Sequence, residues 1–471
     1  MTPNLVTRLG YGMGSVAFGA KLQLLNLLLL FYNQVLGLPA AAVSTVLAVS
    51  IVLEAVWDPI VGYVSDHTRS RLGRRHPYLY GVAVPLAIAV ALLWSPPSGM
   101  SETELLIWLV VFAIATRFLI TLHEIPSSAL LPELTRDYHT RTNMVSIRWF
   151  FFTCGAAIMT VLTYGVFLKS SAEHPFGQLN RAGYAPLGVT IAIIMMIAIF
   201  MSALGTHRQI PKLSAAPIRD GGIAATFRAI GSTLANWNFM IIAISGLIYG
   251  INRGINDGLR VYVGTFFWQL PSEKLLWWNL MSLPASFAAV LFAPALSRRF
   301  GKRQSCVAVF LAAVVTGNLV YAAALLGVMP SPGTQAQLVI LLADRFVEIA
   351  LGVAGFIIVS SMIADIVEEV QVKTGKRSEG LLFAADTFLQ KLISGVASIL
   401  PGVLLALVAF PPKADPKTID PQIMHNLIWI LMPLTFALGI AATVVLVWYR
   451  IDKRAHEMNL AKLAAQAAPG E

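Results

Sequence analysis

The sequence predicts an all-α integral membrane protein of twelve spans arranged as two six-helix halves, and three observations predict it. Of 471 residues, 57% are hydrophobic and only 12% charged, about half the charge of a soluble domain. Apolar runs of about 20 residues, the length that crosses a hydrocarbon core of about 30 Å as helix, recur along the whole chain. Lys and Arg gather in short clusters between those runs, so the net charge of +10 reads as membrane topology rather than nucleic-acid binding. Lipid offers no partner to open backbone, which excludes open sheets and exposed loops at depth.

The spans follow in order. The first, 11–36, holds Lys21, Gln23 and Asn26. Only the single basic residue Arg8 precedes it. Its apolar stretch outlasts a signal-peptide core and has no clear small-residue cleavage site, so it is expected to be retained. The second, 41–65, holds Glu54 and Asp58, and the third, 78–95, is uncharged. The fourth, 105–130, carries Arg117, Thr121, His123 and Glu124, and the fifth, 144–168, carries Arg148. The sixth, 185–205, is uncharged. The seventh, 237–265, carries Arg253, Asp257 and Arg260; the eighth, 275–296, and ninth, 304–328, carry no charge. The tenth, 337–364, holds Asp344, Arg345 and Glu348. The eleventh, 382–410, holds Asp386 and Lys391, and the twelfth, 424–449, closes the series. Cys154 and Cys306 both fall inside spans, which leaves no disulfide framework or clustered metal site.

Residues 206–236 carry Pro211, Pro217 and the Gly221-Gly222 pair, the composition of a linker. They separate an N-terminal bundle, 1–205, from a C-terminal bundle, 237–449, with a tail at 450–471. Of the 34 Lys and Arg, 22 fall on the side of the N-terminus and 5 on the other, which places both termini in the cytoplasm. Arg71-Leu72-Gly73-Arg74 follows the second span and Arg299-Phe300-Gly301-Lys302 the eighth, the same place in each half. Two parallel six-helix repeats are the architecture of the major facilitator fold.

The run Trp57-Asp58-Pro59-Ile60-Val61-Gly62, then Asp66-His67-Thr68-Arg69-Ser70-Arg71-Leu72-Gly73-Arg74-Arg75-His76-Pro77, is more specific than hydropathy. It resembles the glycoside-pentoside-hexuronide:cation symporters, the melibiose permease type of the major facilitator superfamily. Glu124-Ile125-Pro126, Leu131-Pro132, Arg148-Trp149-Phe150, Ala364-Asp365-Ile366-Val367, Glu379-Gly380 and Phe388-Leu389-Gln390-Lys391-Leu392 follow the same pattern, so the resemblance touches both halves. It implies secondary transport of a small molecule, a saccharide, by alternating access in a bacterial inner membrane. It implies a proton or sodium gradient as the drive and no cofactor. The fold can work as a monomer.

Ionisable side chains inside lipid cost at least about 2.5 kcal/mol on insertion scales, so each needs a partner, a water cavity or a function. Glu54 and Asp58 are four apart and share one face of the second span. Two such acids do not comfortably both ionise at low dielectric, so one holds a proton or a cation sits between them. The resemblance adds Glu124 and the hydroxyl of Thr121 to this coupling-cation site. The other reading is a static ion-pair network with Lys391 or an intramembrane Arg. Sodium-using members carry an amide just before the second acid, where this chain has Trp57; indole supplies no oxygen, which favours protons and leaves sodium or lithium open. Lys391 needs a carboxylate partner in lipid. The resemblance faces it toward the acid cluster, and Asp386, five residues away, is the structural alternative.

On the substrate side, the resemblance places Arg148 at the cavity, where a guanidinium fork bridges two hydroxyls; helix pairing is the alternative. The family acid of the first span is absent near Phe18 or Gly19, the Trp one turn after the span-four acid is Ser128, and the span-ten Trp is Phe356. The type member's galactoside specificity therefore does not transfer, and Gln23, Asn26, Asn252, Asp386 and Thr387 are candidate replacement contacts alongside Phe356. Asn252, Arg253, Asn256 and Asp257 make a polar stripe on the seventh span, facing either a water cavity or a neighbouring helix. Trp268, Trp277 and Trp278 read as interface anchors. Arg71 and Arg75, with Asp66 and Asp365, are candidate gating residues; a topology signal alone is the simpler reading of the arginines.

A membrane enzyme would need a nucleophile with its base or a set of metal ligands, and the eight His are dispersed without a His-Glu-x-x-His pattern. His123, beside Glu124, is the one His deep in a span and a candidate proton relay. A closer competitor is a symporter of an amphipathic, lipid-like substrate, which the loss of sugar-type residues leaves open.

Overall fold

The computed structural model describes residues 3–135, 137–212, 236–374, 379–451, 455, 457–458 and 462, and all regular structure among them is helical. Most of the linker and tail, with Arg377, lies outside the described residues. Among the described residues twelve helices are long and apolar enough to cross a membrane: α1 Leu5–Val35, α2 Ala40–His67, α3 His76–Leu93, α4 Glu102–Leu134, α5 His139–Phe167, α6 Arg181–His207, α7 Trp237–Phe267, α8 Ser272–Phe300, α9 Lys302–Leu325, α10 Gln335–Val372, α11 Ala385–Leu407 and α12 Pro421–Leu446. Each predicted span falls on one of them.

The tenth departs most from its predicted span. Its helix continues to Thr374, 40 residues in all. At 1.5 Å per residue that is about 60 Å, twice the hydrocarbon core. Polar residues such as Glu368 and Glu369 end the hydropathy signal but not the helix, because nothing in Ile366-Val367-Glu368-Glu369-Val370 breaks it.

Helix starts follow local chemistry. Ser101 and Glu104 form a capping box at α4, Glu104 accepting the Ser101 N–H at 2.7 Å. Before α5, Asp137 accepts the Thr140 N–H at 2.7 Å, and that bond holds its carboxyl below the usual carboxylate range. The far ends of α1, α5 and α7 widen into π-helical turns, Phe31–Val35, Leu162–Phe167 and Val263–Phe267.

The chain forms two compact units. The first is Met1–Ile223 with Gly258–Leu276 and Ser398–Ile419; the second is Ala224–Asp257, Trp277–Ala397 and Asp420–Glu471. The far ends of α7 and α11 belong to the first unit. Polar side chains anchor them there. Tyr262 donates to Asn33 Oδ1 at 2.7 Å, and Gln34 donates to the Pro411 carbonyl at 3.1 Å while accepting the Ala414 N–H at 3.0 Å. Gln178, fully buried, donates to Thr265 and to the Leu270 carbonyl, each at 3.1 Å, and accepts from Ser272 at 2.7 Å.

Within the first unit α1 packs on α5 and α6, α3 on α4 and α6, and α2 on α4. The α1–α5 crossing is backbone on backbone: a Cβ on Gly19 would lie 2.0 Å from the Phe152 carbonyl oxygen. Within the second unit α10 packs on α8 and α9, and α9 on α12. The repeat seen in sequence has a backbone counterpart, since Gly73 and Gly301 both adopt positive φ, +74° and +82°. That conformation is cheap only for glycine, and it turns the chain sharply after α2 and after α8.

Of the three tryptophans read as interface anchors, Trp277 alone is exposed. Trp268 and Trp278 are buried, the latter with Arg345 5.8 Å from its ring centre.

Candidate functional site

The acid cluster assembles inside the first unit from three helices. On α2, Glu54 and Asp58 stand one turn apart. On α4, Arg117, Thr121, Glu124 and Ser128 recur at spacings of four, three and four, which lines them along one face. On α1, Tyr11, Ser15, Phe18 and Lys21 recur at spacings of four, three and three, which also lines them along one face. These faces meet. Lys21 Nζ lies 2.7 Å from Glu54 Oε1 and 3.5 Å from Glu124 Oε2, and Arg117 Nη1 lies 2.7 Å from Glu54 Oε2. Thr121 donates to Asp58 Oδ1 at 3.1 Å.

Glu54 thus has a basic group at each oxygen, and its side chain is only 4% exposed. Glu124 is more accessible than Glu54, 31% exposed, and lies at the longer distance from Lys21. The Trp57 ring turns away to meet Phe118 edge to face at 5.0 Å. Pairing of Glu54 with Arg117 matches the static-network reading for that one acid. The role of Lys21 escaped the sequence, and the stripe of α4 was the signal that would have singled out Arg117.

One turn along, Arg148 of α5 reaches across to the same two faces. Its Nη1 donates to Tyr11 OH at 2.8 Å, Nε to Ser15 Oγ at 3.2 Å and Nη2 to Ser128 Oγ at 3.2 Å. The guanidinium lies 5.2 Å from the Tyr11 ring centre and 5.6 Å from that of Phe18. Three of its five N–H groups are used by these bonds. Ser128 takes the place where the resemblance expects Trp, and its smaller side chain admits the arginine. His123 is buried against Phe18, ring centres 5.2 Å apart. Gln23 and Asn26 lie half-buried further along α1.

The turns after α2 and α8 carry matching ion pairs, each within its own unit. Arg75 bonds Asp66, donates to Ser65 Oγ at 2.6 Å and lies 3.2 Å from Glu133, while Arg74 lies 3.0 Å from the same Glu133 oxygen. In the second unit Lys302 lies 2.6 Å from Asp365. Of the candidate gating residues, Asp66 and Arg75 meet, Asp365 pairs with Lys302, and Arg71 is exposed. Glu133 and Lys302 were not singled out in sequence.

The remaining candidates belong to the second unit. Asn252 donates to the Thr435 carbonyl of α12 and accepts from Asn256 at 2.8 Å, so this part of the α7 stripe bonds a neighbouring helix. Arg253, largely exposed, lies 3.3 Å from Asp257 on its own helix. Phe356 and Thr387 are exposed, Lys391 is half-buried, and Asp386 accepts from Gln390 at 2.7 Å. Among the described residues no group of three His, Cys, Asp or Glu could hold a metal ion.

Residues 10–453 match the family described as MFS/sugar transport protein. The chain is 26% identical over 449 residues to the isoprimeverose transporter of Lactiplantibacillus pentosus, covering 95% of this chain and 88% of that protein. It is 23% identical over 476 residues to a putative glycoside/cation symporter, YagG, of Escherichia coli strain K12, covering 98% and 96%. Its fold is similar to that of the nucleoside transporter NupG in a D323A mutant crystal structure, with a TM-score of 0.63 at 16% identity over 94% of this chain and 99% of that one.

Proposed function

The chain belongs to the MFS/sugar transport protein family and is a membrane transporter rather than an enzyme, and from that premise we propose that it carries a saccharide in symport with protons by alternating access. One observation carries this reading. The acid cluster and the Arg148 group occupy the same faces of α1 and α4, one turn apart, with Phe18 beside Lys21 and Ser128 beside Glu124. A hydroxyl-rich ring held by the two spare N–H groups of Arg148, with its apolar face against Tyr11 or Phe18, would sit next to the group that takes the proton.

Asp58 and Glu124 are the proton acceptors in this reading, since Glu54 is locked by two cations. A proton is favoured over sodium because Trp57 brings no oxygen to the cluster. The relatives named for isoprimeverose and for glycoside/cation symport support the saccharide class. The distribution of Lys and Arg supports cytoplasmic termini in a bacterial inner membrane. Lys391, Asp386, Thr387 and Phe356 are proposed to take part in binding and coupling, while Asn252 is engaged with Thr435 and Asn256. Arg75, Asp66 and Asp365, with Arg71, are proposed to serve the cytoplasmic gate.

The test is uptake into proteoliposomes with a labelled glycoside, pentoside and hexuronide panel, driven by a pH jump or by counterflow. Accumulation that collapses in Asp58→Asn and Glu124→Gln while exchange survives is the expected result. No saturable uptake of any panel member sinks the saccharide assignment and brings an amphipathic substrate forward, a reading that the small Ser128 favours.

A further inference from the structure

We propose that the Lys21 ammonium is a built-in cation that occupies the position an alkali-metal ion would take among the acids, and so excludes sodium and lithium from this site. The inference deepens the reading of the acid cluster as a coupling site and rests on it.

Lys21 comes from α1 and reaches one acid on each of two other helices, Glu54 of α2 at 2.7 Å and Glu124 of α4 at 3.5 Å. Bridging carboxylates from separate helices is what a bound monovalent cation would do there. An ammonium is a compact point charge with three donors, so it supplies the same neutralisation. Being covalently tethered, it gives up none of the translational freedom that a free ion must lose on binding.

Three further features close the site to a metal ion. The second Glu54 oxygen is committed to Arg117 at 2.7 Å, so Glu54 cannot turn to a new ligand without abandoning a buried partner. A sodium ion placed between Glu54 and Glu124 would stand beside the Lys21 charge and be repelled by it. Trp57, packed on Phe118, contributes no coordinating oxygen. The site that remains suits a proton, which needs one carboxylate oxygen and no coordination shell.

The experiment is thermal unfolding of the purified protein, followed by tryptophan fluorescence, in sodium, lithium or choline chloride at matched ionic strength. The wild type is expected to unfold at the same temperature in all three salts. Lys21→Ala is expected to gain a saturable rise of about 2–4 °C in sodium or lithium over choline. Lys21→Asn, which removes the charge and keeps a polar side chain, is expected to do the same, and Lys21→Arg, which keeps the charge, to show none. A sodium- or lithium-specific rise already present in the wild type overturns the proposal, as do folded Ala and Asn variants that respond to neither ion. No transported substrate enters this readout, so failure of the saccharide panel leaves it standing.

Discussion

Arg117 of α4 lies 2.7 Å from Glu54 of α2, with the two side chains only 8% and 4% exposed. A pair buried this deeply is costly to break from one side, although Lys21 remains against the other Glu54 oxygen. Arg117→Met should therefore destabilise the protein by about 1–3 kcal/mol, read as loss of monodisperse protein after heating. Combining it with Glu54→Gln should recover much of that loss. A double variant as damaged as the sum of the singles would show that the pair is not the reason.

Arg148 spends three of its five N–H groups on Tyr11, Ser15 and Ser128, and in the proposed function the remaining two go to the substrate. Lys preserves the charge but not the fork. Arg148→Lys should raise the saccharide KM about tenfold or more, equivalent to about 1.4 kcal/mol, with the unfolding temperature nearly unchanged. An unaltered KM would assign Arg148 to helix pairing.

Glu133 gathers Arg74 and Arg75, whereas Arg71 is exposed. Glu133→Gln should cost about 1–3 kcal/mol by removing the anion that Arg74 and Arg75 share, Arg75 keeping Asp66. Arg71→Gln should stay within about 0.5 kcal/mol. Unfolding curves of the two variants side by side decide it, and equal effects would mean that charge in this turn acts only as a topology signal.

Gly19 and Gly62 make a second contrasting pair. A Cβ at Gly19 would meet the Phe152 carbonyl at 2.0 Å, while at Gly62 the nearest atom is a side-chain carbon of Ile125 at 3.6 Å. Gly62→Ala should be tolerated, and Gly19→Ala should push α1 off α5 and lower the yield of folded protein sharply in size-exclusion profiles.

How much of this was legible beforehand depended on whether a feature lies along one helix or between several. The spans, the Glu54/Asp58 spacing and the duplicated glycine turns are all local, and single-helix periodicity exposes them. The Lys21 and Arg117 contacts depend on how α1, α2 and α4 are rotated about their own axes. Seven basic residues and seven acids inside the spans allow many pairings, and spacing along the chain does not choose among them. The length of α10 was hidden for a different reason, since hydropathy falls where Glu368 and Glu369 begin although helix propensity does not. Gln34 and Gln178 read as ordinary polar residues near span ends until the turns they bond to are in place.

The contact between Gly19 and Phe152 has one more consequence. With the backbones of α1 and α5 touching, the two helices lack the side-chain cushion that would let them slide, so they travel as a single lever. Lys21 rides on one arm of that lever and Arg148 on the other. In the proposed mechanism a ligand that repositions Arg148 does work on Lys21, and a proton that loosens Glu124 from Lys21 does work on Arg148. Reciprocity then requires that each event change the affinity for the other by the same factor.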